Sequence, residues 1–283
     1  MDNKTTAILL ATYNGERFLR QQIDSLYAQT EKNWTLYVHD DGSTDDTPAI
    51  LKEYAAKHDN FVVLDYPSQR GASANFFSML QRVDASYYFF SDQDDIWMEE
   101  KIERSMKRMK HVEEHNAKCP VLVCCDASVT DVDMNVTAPS LWHQSGAHPE
   151  FLTTFNEAAA TPFVTGCTML INREAKNSVL WDKTDKATMH DAFITLCVLR
   201  AKGIVSVLRE SLMYYRQHGD NTLGAYSRER GRLTYKLLHI KSVLKKDRAL
   251  LSMLNALGYG SLLKFLKYKR LYKKRCREAD SRR

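Results

Sequence analysis

Short apolar runs alternate with stretches whose apolar residues recur every three or four positions. The runs TTAILLATY, WTLYVHD, FVVLDY, SYYFFSD and PVLVCCDASVTD, rich in β-branched and aromatic residues, read as five strands. Between them, ERFLRQQIDSLYAQ places Phe18, Leu19, Gln22, Ile23 and Leu26 at helical spacing. TPAILKEYAAKH reads as a helix with Pro48 in its first turn and Thr47 as its N-cap. SANFFSMLQRV and the charged MEEKIERSMKRMKHVEEH complete the set. Strands alternating with helices predict an α/β fold, a doubly wound and mostly parallel sheet with helices on both faces.

After residue 130 the rhythm loosens. DVDMNVTAPSLWHQSGAHPE reads as an irregular loop, TGCTMLIN as a strand and DAFITLCVLRAKG as a helix ending at Gly203. IVSVLRESLMYYRQ reads as a strand pair or one bent strand, and from about Arg228 onward the pattern is helical and basic. The division this predicts is a domain over 1–227, with its first part at 1–130 and its second at 131–227, followed by a basic helical extension over 228–283.

Charge sharpens that division. Residues 228–283 hold 18 Lys/Arg against 4 Asp/Glu, a net of +14, so the preceding residues carry −9 within an overall +5. A basic tail on an acidic body seeks phosphates, of a membrane surface or of nucleic acid. Residues 261–275, SLLKFLKYKRLYKKR, place Leu262, Leu263, Phe265, Leu266 and Tyr272 on one broad helical face with lysines opposite. That pattern suits either a helix lying on anionic lipid or one packed on the domain. No nucleic-acid reading module accompanies the charge, so no nucleic-acid partner is expected. No apolar run approaches the roughly 18 residues that span a bilayer. MDNKTTAILLATYN lacks the basic start of a secretory signal, which predicts a cytoplasmic protein. The six cysteines form no CxxC pair and read as buried reduced thiols.

The polar chemistry gathers where the strands end. In an open parallel sheet, ligands bind outside the carboxyl ends of the strands, and those ends read ATYNGE, HDDGSTDD and FSDQDD. In the second, Gly42 permits a tight turn, and Asp41 fits either a turn or a carboxylate accepting a hydrogen bond from a base N–H. In the third, Asp92, Asp94 and Asp95 crowd three carboxylates into four residues, which calls for a cation. Hard oxygen ligands in small number favour Mg²⁺ or Mn²⁺, with substrate phosphates completing the shell. Asp95 fits equally as a cap of the helix that holds Lys101.

ATYNGERFLRQQIDSLYAQT, HDDGSTDDT and SDQDDIW resemble the three N-terminal signatures of glycosyltransferase family 2, inverting enzymes of the GT-A fold. TGCTMLINR, MHDAF and YYRQHGDN resemble its rhamnosyltransferase-like branch. The resemblance implies nucleotide-sugar contacts at Ala11, Thr12, Tyr13 and Glu16, base binding at Asp41, and phosphate contact at Arg70. It makes Asp92-Gln93-Asp94 the DxD motif, with Asp92 near the ribose or metal and Asp94 a metal ligand. Asp191 becomes the general base; the residues read it equally as the N-cap of helix 192–202, and the two roles are compatible. His190 replaces a glutamate common in the family, so its role stays open. His218 is implied to ligate the metal or contact a phosphate, or else to make a structural hydrogen bond. Gly166 allows close backbone approach near the acceptor, and Trp97 and Trp142 fit either sugar stacking or burial.

The function this implies is inverting transfer of a sugar, rhamnose from dTDP-rhamnose being the leading choice. Its acceptor is a hydroxyl of a glycan or lipid-linked glycan in cell-surface polysaccharide synthesis, met on the inner face of the membrane. Another hexosyl or N-acetylhexosaminyl transferase of the same fold, or a silent nucleotide-sugar-binding protein, is the alternative.

Overall fold

The computed structural model describes residues 5–161, 163–219 and 240–281. Its first part follows the predicted alternation. Strands β1 (Thr6–Thr12), β2 (Thr35–Asp40), β3 (Phe61–Val63) and β4 (Tyr87–Ser91) are separated by α1 (Leu19–Tyr27), α2 (Thr47–Lys57) and α3 (Ala72–Arg82). These strands pair in parallel in the order β3-β2-β1-β4. The short β5 (Ile96–Trp97) and α4 (Lys101–His115) follow, then the long buried β6 (Val121–Thr130).

β6 does not sit beside β4. Strand β8 (Met169–Asn172) lies between them, antiparallel to both. β6 then pairs in parallel with β9 (Ile204–Arg216), and β5 closes the far edge antiparallel to β9. β9 is one strand whose register against β6 shifts near Asp126, so the bent-strand reading holds. Residues 131–150, expected to be irregular, contain β7 (Val136–Ala138), α5 (Leu141–Ser145) and the start of a 3-10 turn at Pro149–Phe151, and α6 (Phe155–Ala160) follows. These elements are too short to carry a visible period. Ser140 caps α5, and Thr154 with Glu157 forms a capping box on α6. α7 (Arg173–Asn177) and α8 (His190–Arg200) precede β9, and α9 (Ile240–Ala256) and α10 (Leu262–Asp280) end the described chain.

Each face of the sheet carries its own core, because successive strand residues point to opposite sides. On β1, Ala7 and Leu9 face the layer of α3, α6 and α8, and Ile8 and Leu10 face α1, α2 and α4. The described C-terminal helices pack on the body. Met253, Leu254, Phe265, Tyr272 and Cys276 are buried in the α3/α8 layer, and the Tyr272 hydroxyl accepts the His148 N–H at 2.8 Å. The predicted boundary at 227/228 lies outside the described residues.

Two capping expectations are corrected. Asp46, not Thr47, occupies the N-cap of α2, and the Thr47 hydroxyl instead accepts the Gly15 N–H at 2.8 Å. Asp95 does not cap α4, whose N-cap is Glu100. Its Oδ1 accepts the Arg216 N–H at 3.2 Å.

Candidate active site

The carboxyl ends of β1, β2 and β4 lie side by side, with Thr12 opposite Asp40 and Leu10 opposite Ser91. Outside them opens a cavity of about 970 Å³. Ala11, Thr12, Tyr13, Asp41, Arg70, Asp92, Gln93, Asp94, Gly166, His190, Asp191 and His218 all line it. Residues far apart in sequence thus meet: parallel strands deliver their loops to one edge, and the turn before antiparallel β8 and the start of α8 bring Gly166, His190 and Asp191 to it.

The strand-end loops are laced to one another. Gln93 exchanges two hydrogen bonds with the Tyr13 backbone, each 2.9 Å, and a Cβ at Gly15 would collide with the Gln93 amide. The Thr12 hydroxyl donates to Asp40 Oδ1 at 2.9 Å, and the Asn14 N–H donates to Ser43 Oγ at 2.8 Å. Asp41 holds the 68–71 loop. Its carboxylate accepts from the Ser68 hydroxyl (2.8 Å) and from the N–H groups of Gln69 (2.5 Å), Arg70 (3.1 Å) and Gly71 (2.6 Å). To turn these N–H groups inward, the loop takes positive φ at Arg70 (58°) and Gly71 (136°). Burial raises the Asp41 pKa, but the donors of Gly71, Ser68, Gln69 and Arg70 outweigh it, and the net shift is downward.

The three crowded aspartates separate by direction. Asp92 and Asp94 line the cavity, whereas Asp95 is 1% exposed and turns into the core. Burial first, then the charges of Asp94 and Asp191, push the Asp92 carboxyl up to about 7. Asp94 Oδ2 lies 2.7 Å from His218 Nε2. Two carboxylates and an imidazole at a cavity wall fit a hard divalent cation. Asp92, Asp95 and Cys167 also bring their ligand atoms within 4.8 Å of one another. Burial raises the Cys167 thiol well above its ordinary value, which makes it a poor ligand for such an ion.

Asp191 sits in the first turn of α8, after an N-cap at Met189, so it does not cap that helix. Its Oδ1 accepts the Ala192 N–H at 2.6 Å and its Oδ2 the Gly166 N–H at 3.0 Å. Burial pushes its pKa up to about 6 against the pull of these donors. Beside it, His190 is 2% exposed, and neither ring nitrogen has a hydrogen-bond partner among the described residues. The Phe76 and Phe90 rings flank it at 4.3 and 5.5 Å, and burial pushes its pKa down to about 3. Gly166 is required here because a Cβ would fall 2.5 Å from His190 Nε2.

Three predicted contacts do not reach the cavity. Glu16 is occupied at the loop junction, where its Oε2 accepts the Asp46 N–H at 2.8 Å. Trp97 is 2% exposed in the core beneath Lys101, so it stacks on no sugar, and Trp142 is buried as well. Sequence reasoning missed Asn14, Arg17, Asn75, Phe76 and Tyr215, which also line the cavity. Asn14 and Arg17 lie within the first signature and Tyr215 within YYRQHGDN, so their motifs were visible though their roles were not; Phe76 carried no signal beyond core hydrophobicity.

Comparison with known proteins bears directly on this arrangement. A family model described as "Glycosyl transferase family 2" matches residues 7–180. The dTDP-rhamnosyl transferase RfbG of Shigella flexneri is 30% identical over 234 residues, covering 76% of this chain and 74% of RfbG. Among solved structures, S. aureus TarS 1–349 in complex with UDP-GlcNAc aligns with a TM-score of 0.54 at 18% identity, over 91% of this chain and 73% of that one. The mannosyltransferase PcManGT from Pyrobaculum calidifontis, in complex with GDP-Man and Mn²⁺, aligns with a TM-score of 0.57 at 15% identity, over 95% and 84%. At such identities the solved structures speak for the fold, which is of the GT-A type. The family match extends over more than half of the chain, and the chain belongs to glycosyltransferase family 2 and is a glycosyltransferase.

Proposed function

We propose that this chain transfers a sugar with inversion from a nucleotide-diphosphate donor, dTDP-rhamnose being the leading candidate, to a hydroxyl of a glycan or lipid-linked glycan in cell-surface polysaccharide synthesis. The observation that carries this reading is the buried carboxyl of Asp191 on the wall of the cavity that Asp92 and Asp94 also line. The likeness to RfbG favours rhamnose.

In this mechanism the strand-end loops bind the donor. Asp41, with the 68–71 loop it holds, forms the nucleotide side, and Arg70 meets the diphosphate. Asp92, Asp94 and His218 would hold Mg²⁺ or Mn²⁺, which when bound stabilises the charge that grows on the departing diphosphate. Asp191 takes the proton from the acceptor hydroxyl as its oxygen forms a bond to the anomeric carbon. The bond from that carbon to the phosphate oxygen breaks on the opposite face, and the electron pair leaves with the nucleotide diphosphate. The Gly166 and Ala192 N–H groups aim the Asp191 carboxylate. His190, kept neutral by burial, can exchange a hydrogen bond with an uncharged hydroxyl but brings no positive charge to the diphosphate.

A membrane setting fits the exposed side of α10. Leu263 is 81% exposed, and Leu266, Lys267, Arg270, Leu271 and Lys274 lie along the same face. None of the described helices is long and apolar enough to cross a bilayer, so the reading is of a protein lying on an anionic surface from the cytoplasmic side.

A panel of nucleotide sugars offered to the purified protein with Mg²⁺ or Mn²⁺, read by release of nucleotide diphosphate, tests the function. Release with dTDP-rhamnose above all others is expected. No release from any donor, together with no binding of nucleotide diphosphates, would remove the reading.

A further inference from the structure

Beneath the acidic cluster lies a lysine sealed from solvent. Lys101, the first residue of α4, is 0% exposed. Its ammonium stands 3.6 Å from the centroid of the Trp97 ring, meets the Met213 sulfur at 3.2 Å and donates to the Cys167 carbonyl at 2.6 Å. Burying an ammonium is costly unless charge and hydrogen bonds compensate it. Leucine or methionine would fill the same space without that cost, so the charge itself calls for an explanation.

Its surroundings supply one. The ammonium opposes the upward drive on the carboxyls of Asp92, at the cavity wall, and of the buried Asp95. The carbonyl it grips belongs to the residue after Gly166, whose N–H donates to Asp191 Oδ2 at 3.0 Å. Gly166, Cys167 and Thr168 form a single 3-10 turn, so a hold on the Cys167 carbonyl restrains the turn that carries the Gly166 N–H. Gly166 has little freedom of its own, because His190 packs where its Cβ would be. The turn is therefore pinned from the core by Lys101 and from the cavity by His190, and Asp191 hangs from it.

We propose that Lys101 is a positioning residue for the transfer: from inside the core it fixes the 166–168 turn and, through the Gly166 N–H, aims Asp191 at the acceptor hydroxyl. The inference rests on the reading of Asp191 as the base. Lys101 touches neither donor nor acceptor, and its effect passes through one hydrogen bond to the turn and one from the turn to the carboxylate.

A double-mutant cycle separates this role from a general contribution to folding. Wild type, Lys101→Met, Asp191→Asn and the double variant are assayed with dTDP-rhamnose and Mg²⁺, water serving as acceptor, by release of dTDP. Binding of dTDP and thermal unfolding are measured in parallel. Misplacing a catalytic group by an ångström can lower turnover about 10²-fold, and a loss of that order is expected for Lys101→Met in the wild-type background. In the Asp191→Asn background, where no base remains to be aimed, the same substitution should cost less than about threefold. The KM for dTDP-rhamnose and the affinity for dTDP should stay near wild type. An equal fold loss in both backgrounds, or unchanged turnover of Lys101→Met, overturns the inference and leaves the base reading standing. Near-normal turnover of Asp191→Asn alone removes both. If Lys101→Met does not fold, Lys101→Arg enters the same cycle. It keeps a charge and a donor but displaces the contact to the Cys167 carbonyl, and its loss too should be confined to the background that retains Asp191.

Discussion

Asp191 titrates in a range where its state can be read from the rate. Burial holds its pKa near 6, above the ordinary carboxyl value. A general base acts only when deprotonated, so turnover should rise with pH through about 6 and then level. Asp191→Asn should lose this limb and about 10²–10⁴-fold in turnover, with dTDP affinity intact by calorimetry. Turnover close to wild type would move the proton acceptor elsewhere. Asp94→Ala tests the other wall. It should abolish the metal-dependent part of dTDP binding while the unfolding temperature stays near that of wild type. Binding that is equal with and without a chelator, in both proteins, would take the metal away from Asp94.

The 68–71 loop depends at the scale of an element on a single side chain. Asp41 gathers three consecutive N–H groups and a hydroxyl, and their donors lower its pKa despite burial. The sign of the linkage follows. A carboxyl with a lowered folded pKa stabilises the protein above its unfolded value, about 3.9, and that contribution fades as pH falls through the folded pKa. Asp41→Asn should therefore unfold at lower temperature than wild type at pH 7, with the gap narrowing below about pH 4. A constant gap across pH would mean that the carboxylate charge does not hold the loop. HDDGS marked Asp41 as a turn or ligand residue, but what it holds lies 27 to 30 positions onward, in a segment with no period to betray the contact. The same limit explains Trp97 and Glu16. Their spacing from the motifs was visible, but the side of the backbone they face depends on packing.

Over the whole molecule, the most telling revision concerns α10. One apolar face was expected to hold Leu262, Leu263, Phe265, Leu266 and Tyr272. The fold divides it: Phe265 and Tyr272 are buried with Cys276 against the body, whereas Leu262, Leu263, Leu266 and Leu271 remain exposed at 57%, 81%, 42% and 44%. The helix can thus pack on the domain and present a basic, leucine-bearing side to anionic lipid at once. Truncating it would uncover core surface, so substitution is the cleaner test. Leu263→Glu combined with Leu266→Glu should cut flotation with vesicles of anionic lipid at low salt and leave dTDP binding unchanged. Equal flotation of variant and wild type would remove the membrane role from this face.

Apart from the two-residue β5, the order of strands and helices through residue 130, the three acidic strand ends and the place of Asp191 after a later strand were legible in the chain, because each is a local pattern: period, turn chemistry or spacing. The family signatures are legible for the same reason, since each motif is a short contiguous loop at a strand end. The tertiary structure decided the rest. It inserted β8 between β4 and β6, which brings Gly166 and Cys167 beside the β4 carboxyl end. It turned Asp95 inward and Asp92 and Asp94 outward from one crowded run, and it placed the charge of Lys101 under them. Strand pairing and side-chain direction are set by contacts between residues far apart in sequence, and no window of the chain contains both partners of such a contact.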